Sequence, residues 1–400
     1  MSTQTTTARV EAPPGGPQAA ARAGVLVLVL LSIGHFFVDI YSGALGALQP
    51  IFVERMGLTL TQAGILGGVF VFASSVMQPA WGYLSDRFHT RLFAALAPAV
   101  AGIAISLLGV APAYGWLLAL VSLGGAGIAA FHPQASSTVA FSTQGRRGSW
   151  MAIFISSGTL GFSLGPTYFS QVLEWVGFEH TYWAAVPGVL VTAFLLAQLP
   201  PPPRRASHGH GGFDTAALQA VWKPLLLLYL LVFLRSIVQI VFAQFLALYL
   251  TLERGYEFAA ANYTLTLYLA AGAIGGFLGG HLSDRFGRRN VILISMIACV
   301  PFLLLFFLTD GPLAIASLAL GGLILFFTIP VNVVMAQELV PSQAGTVSAL
   351  MMGFAWGMAG IVFVPFTGWA SEIFSLHQVL MSLVSFPALG FLLALKLEKD

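Results

Sequence analysis

The chain has 400 residues, of which 58% are hydrophobic and only 8% charged, and its net charge is +2. A water-soluble globular domain carries about 25% charged residues, so this composition excludes one and points to an all-α polytopic membrane protein with the lipid bilayer as its main partner. The small net charge names no other partner, and no nucleic-acid partner is expected.

Residues 1–23 are rich in Pro, Gly, Ala and Thr, with Arg9 and Arg22 as their only cations, and read as a disordered cytoplasmic tail. The apolar run from Gly24 continues far past the core of a signal peptide and lacks a small-residue cleavage site, so it is expected to remain as the first membrane helix. At about 20 apolar residues per crossing, twelve spans are predicted, near 24–48, 60–84, 92–111, 115–140, 149–174, 181–200, 222–251, 259–281, 290–309, 313–337, 344–369 and 376–395. Six belong to a first bundle, 24–200, and six to a second, 222–400. Between them, 201–221 reads as an exposed linker, because the prolines from Pro200 to Pro203 and the Gly-rich tract around His208 and His210 cannot hold a helix. The two histidines read as solvated linker rather than a metal site. The single cysteine, Cys299, excludes an intramolecular disulfide and sits in an apolar run as a core filler.

One short stretch occurs twice. Gly82-Tyr-Leu-Ser-Asp86-Arg87-Phe-His-Thr-Arg91 returns 198 positions later as Gly280-His-Leu-Ser-Asp284-Arg285-Phe-Gly287-Arg288-Arg289. A repeat at that period means two similar halves rather than a solenoid. The cations agree with the count of spans: fourteen of the seventeen Lys and Arg residues fall in the tail, the linker, the C-terminus or loops on one side, whereas Arg55 and Arg254 occupy matched places on the other. Excess cations mark the cytoplasmic side, which puts both termini there.

Charges inside spans are costly and are therefore candidates for function. Asp39 lies in the middle of the first span, with His35 four residues earlier on the same helical face. Low dielectric disfavours the charged forms of both an acid and an imidazole, so the pair can exchange a proton near neutral pH; the alternative is that Asp39 only bonds a neighbouring helix. Arg235, in the seventh span, is the one cation within the apolar regions, and Gln239 lies one turn beyond it. A buried guanidinium needs an anion, and its planar fork suits a phosphonate or carboxylate; pairing with Asp39 is the other option. His132-Pro133 bends the fourth span and is read either as a cavity group or as packing. Gln134, Gln78 beside Pro79, and Asn332 near Pro330 are further polar candidates for substrate contact.

The repeated loop resembles the signature of the major facilitator superfamily, Gly-x-Leu-x-Asp-Arg-x-Gly-Arg-Arg. The second copy matches at Gly280, Leu282, Asp284, Arg285, Gly287, Arg288 and Arg289, and the first departs at His89, where glycine is usual. More narrowly, Gly34-His-Phe-Phe-Val-Asp39, Ala73-Ser-Ser-Val-Met-Gln-Pro79, Phe131-His-Pro-Gln134, Ser163-Leu-Gly-Pro166 and Ala336-Gln-Glu-Leu-Val-Pro341 are similar to the bacterial fosmidomycin-resistance family of drug exporters. The resemblance implies the two-bundle fold of that superfamily in a bacterial inner membrane. It also implies efflux of a small phosphonate or related compound against inward proton flow; uptake of an organic anion or sugar is the rival reading.

The fifth span carries Gly158, Gly161 and Gly165-Pro166, and the eleventh Gly357, Gly360 and Pro365, so these helices are expected to meet closely where the halves join. The first set resembles the glycine-proline motif of superfamily exporters. The repeated loops are expected to act as a latch across the cytoplasmic mouth, with Glu338 a partner for Arg285 or Arg289. No metal-ligand spacing, nucleotide loop or paired nucleophile is visible, so neither an enzyme nor an ATP-driven pump is expected. The expectation is a monomeric transporter with no cofactor or metal, whose partners are lipid, protons and a small-molecule substrate.

Overall fold

A computed structural model describes residues 16–88, 90–142, 147–201 and 215–398, except for side chains at 16–21, 86 and 147–149. The expectations for residues 1–15, His89, Arg146, His208, His210 and Lys399, and for the side chains of Asp86 and Arg147, fall outside them. The described residues hold no strand. Twelve long helices follow one another: α1 (Arg22–Met56), α2 (Leu60–Ser85), α3 (Leu92–Val110), α4 (Tyr114–Ser142), α5 (Arg147–Val176), α6 (Phe178–Gln198), α7 (Trp222–Leu252), α8 (Phe258–Phe286), α9 (Arg288–Leu308), α10 (Gly311–Leu339), α11 (Pro341–Ile373) and α12 (Leu376–Ala394). Among the described residues, eleven are long and apolar enough to cross a membrane. The other, α5, has 30 residues, about 45 Å at 1.5 Å per residue, and is less apolar because Ser156, Ser157, Gly158, Thr159, Gly161, Ser163 and Gly165 fill its middle.

Two edges differ from expectation. Helix begins at Gly16, inside the stretch expected to be disordered, because alanines at 19–21 favour helix and Pro17 fits a first turn. The Ala-rich Thr215–Ala220 likewise forms a short helix within the expected linker.

Each half buries its own core. One cluster runs from Val27 to Leu199 through α1 to α6. In the second half, one cluster lies around α7 to α12 and takes in Ala63 and Val71 of α2, and another gathers from Leu225 to Leu397. The packing repeats: α1 lies along α5 as α7 lies along α11, and α3 joins α4 and α6 as α9 joins α10 and α12.

Contact between the halves runs through α2 with α11, α5 with α8, and α1 with α7. Among the described residues, side-chain hydrogen bonds between the halves, Gln49 to Gln244, Thr61 to Glu372, Asn262 to Ala47, Thr167 with Thr266 and Gln171 to Tyr263, lie on the side away from the Asp-Arg loops. There Gly46 of α1 meets the Ala243 carbonyl of α7, Gly64 of α2 lies against Val364 and Gly368 of α11, and Gly360 faces Val71. The bundles therefore close on that side. Further along the α2–α11 seam both helices widen into π turns, Phe72–Val76 and Ala349–Phe354, which face one another.

Only half of the expected glycine arrangement places the halves against each other. Gly357 and Gly360 of α11 do meet α2, whereas Gly158, Gly161 and Gly165 of α5 press on His35, Phe36 and Ile40 of α1, in their own bundle. Small residues shorten both kinds of helix contact, and their spacing alone cannot say which neighbour comes close.

The loops also do something other than latch the mouth. Arg91 donates to the Leu196 and Leu199 carbonyls at the end of α6, and Arg289 to those of Leu395 and Leu397 at the end of α12. Since 91 and 289, like 199 and 397, are 198 apart, this is one device used twice. A cation satisfies the carbonyls that a helix leaves unpaired at its C-terminus and matches its dipole. Glu338 pairs with Arg288, not with Arg285 or Arg289, and every described ion pair joins residues of one half. Gly287 has φ 85°, a positive backbone angle that glycine adopts without the clash a side chain would bring.

Candidate functional site

The helical repeat brings His35 and Asp39 onto one face of α1, and the packing of α4 against α1 adds His132. Nε2 of His35 lies 3.3 Å from Oδ2 of Asp39, and Nε2 of His132 lies 3.4 Å from Oδ1. The carboxylate thus offers one oxygen to each ring. It is 14% exposed, His35 7% and His132 25%, so the group opens through His132. His35 stacks on Phe154 at 4.2 Å between ring centroids and leans on Gly158, whose missing side chain leaves room for the ring.

The other ring nitrogens set the proton count. Nδ1 of His35 is 2.8 Å from the Phe154 carbonyl oxygen, and Nδ1 of His132 is 2.8 Å from that of Ile128. A carbonyl only accepts, so each Nδ1 is assigned a hydrogen and each neutral ring turns a bare Nε2 towards Asp39. A lone pair facing a carboxylate oxygen is repulsive until a proton lies between them. The cluster therefore carries charge −1 with no added proton, 0 with one and +1 with two. Its three donor atoms lie within 4.8 Å of one another, compact enough for a proton or a small cation to share.

The other polar candidates separate. Gln134 accepts from the Ala94 backbone N–H at 2.6 Å and donates to Ser85 Oγ and the Thr90 carbonyl. Expected at a substrate, its amide instead ties α4 to the first Asp-Arg loop. Gln78 bonds the Ser74 carbonyl at 2.9 Å across the π turn of α2. Arg235 does not pair with Asp39: it is buried in the second bundle and donates through Nη1 to Gln239, and its Nε has no hydrogen-bond partner. Both amide atoms of the buried Asn332 and the hydroxyl of the buried Tyr268 also lack partners. Sequence reading missed Tyr268, because one tyrosine in an apolar helix shows no sign that its hydroxyl is unpaired.

Two six-helix bundles of repeated packing, closed on one side around buried ionisable groups, define a polytopic α-helical membrane transporter. The chain belongs to the Major Facilitator Superfamily, whose sequence model matches residues 31–365. It is 31% identical over 384 residues to the uncharacterized MFS-type transporter YfnC of Bacillus subtilis (strain 168), covering 92% of this chain and 91% of that one. It is 28% identical over 350 residues to the fosmidomycin resistance protein of Escherichia coli (strain K12), covering 85% of each. Among solved structures, the inward-facing, unoccupied form of a bacterial homologue of the human lysosomal transporter Spinster shares the fold, with a TM-score of 0.78 at 19% identity over 93% of this chain and 97% of that one.

Proposed function

We propose that the protein is a proton-coupled exporter of small drugs, fosmidomycin-like compounds among them, acting as a monomer in a bacterial inner membrane. The observation that carries the reading is the Asp39 cluster, the one acidic side chain in the middle of a span, held between two histidines that can take up and release protons. Similarity to the fosmidomycin resistance protein supports the class of solute. Cation excess on the side of the Asp-Arg loops supports a cytoplasmic position for that side, and on this reading the hydrogen-bonded seam lies on the periplasmic side. Rocking of one bundle against the other about a midplane site exchanges access, and the charge on the cluster biases which side is open.

The test is a resistance screen in a sensitive bacterium, challenged with fosmidomycin and a compound panel. Resistance above empty vector, lost in Asp39→Asn at equal protein level, supports coupled efflux. Sensitivity equal to empty vector across the panel refutes efflux and favours uptake of an organic anion or sugar.

A further inference from the structure

We infer that the interior of the second bundle holds a subsite for one oxyanion, a phosphonate, sulfonate or carboxylate carried by the substrate, bound by Arg235 and Tyr268. The inference rests on the transporter reading above and names the chemistry of what is carried.

Arg235 is 5% exposed, and among the described residues no carboxylate of its own bundle pairs with it: the acids of α7 to α12 lie at helix ends, with Glu253, Glu257 and Asp310 at cap positions and Asp284, Glu338 and Glu372 in last turns. Asp39, in the other half, is held by His35 and His132. The guanidinium is therefore a desolvated charge whose side-chain partner is a neutral amide, Gln239. Removing a charge from water without a counter-charge is unfavourable, and the fold leaves that counter-charge to be supplied from outside.

The unpaired atoms say what kind of group completes the site. The Nε–H of Arg235 belongs to the two-pronged edge with which a guanidinium holds an oxyanion, and it is without a partner. The Tyr268 hydroxyl, on the neighbouring α8, is fully buried, also without a partner, and within electrostatic range of Arg235. Both are donors, and one of them is charged. Water or a sugar hydroxyl answers the donors but not the charge, and a cation answers neither; an oxyanion answers both. Asn332, on α10, which packs against α7 and α8, adds a buried amide with no partner in the same bundle.

The purified full chain, at fixed pH with no gradient, is titrated with methylphosphonate, methanesulfonate and acetate, with dimethyl methylphosphonate as the uncharged control. The expected result is binding of one or more anions and none of the ester. Tyr268→Phe keeps the ring and removes only the hydroxyl, and Arg235→Lys keeps the charge and loses the fork. Each is expected to weaken binding at least about tenfold while thermal unfolding stays near wild type. Ester binding as tight as the anions, no anion binding by wild type, or unchanged affinity in both variants overturns the subsite. Because no gradient is applied, failure here leaves proton coupling standing. An Asp39→Asn protein that binds the anion but loses gradient-driven transport leaves the subsite standing.

Discussion

The closed side of the seam depends on Gly46. Its Cα meets the backbone carbonyl of Ala243 so closely that an added Cβ would overlap that oxygen, and a backbone atom has no rotamer in which to step aside. Gly46→Ala therefore pushes α1 from α7 in the described state, where this side is shut, but costs little in a state of the transport cycle in which the two helices separate here. Overpacking of this kind costs about 1–3 kcal/mol. At about 1.4 kcal/mol per tenfold, the balance shifts roughly 5- to 150-fold towards the state in which this side is open. Gln49 is a natural reporter, being fully buried beside Gln244 when the seam is shut. The native Cys299 is buried and adds no background. Labelling of Gln49→Cys by a membrane-impermeant maleimide, added on the side proposed to be periplasmic, is expected to speed up several-fold or more when Gly46→Ala is added. An unchanged labelling rate in a protein that expresses and folds normally would refute the close contact and the direction of opening drawn from it.

Other consequences are as specific. Arg91→Ala and Arg289→Ala each strip two helix-end carbonyls of a charged donor, so each is expected to lose about 1–3 kcal/mol of stability, read as a lower midpoint of thermal unfolding in detergent; a drop in only one would break the equivalence of the two loops. Gly158→Ala puts a methyl where the His35 ring rests and is expected to abolish resistance while leaving the protein folded, because the ring must leave Asp39. Glu338→Gln breaks a partly exposed pair with Arg288 worth about 0–1 kcal/mol, so both resistance and unfolding midpoint are expected to stay near wild type.

Much of this architecture can be read from residue order because lipid imposes it. Length and apolarity reveal the spans, and the duplicated loop reveals the halves. The His35–Asp39 pair is visible because i,i+4 spacing is local. His132 joins that pair from 93 residues away in sequence, through the packing of α4 on α1, and no local pattern carries that information. The same limit explains Gln134, which looks like a cavity amide by position but is consumed by the first loop, and the α5 glycines, which approach α1 rather than α8. Arg285 and Arg289 were the partners expected for Glu338, but beyond the turn at Gly287 it is Arg288 that reaches it, while Arg289 goes to the end of α12.

Gradient-driven transport in proteoliposomes tests the role of the Asp39 cluster most directly. With an imposed pH gradient, the wild type is expected to move the drug against its concentration gradient in exchange for protons, whereas Asp39→Asn is expected to do neither and still to exchange labelled for unlabelled drug when no gradient is present. Uphill, proton-driven movement at an undiminished rate in Asp39→Asn would contradict the account.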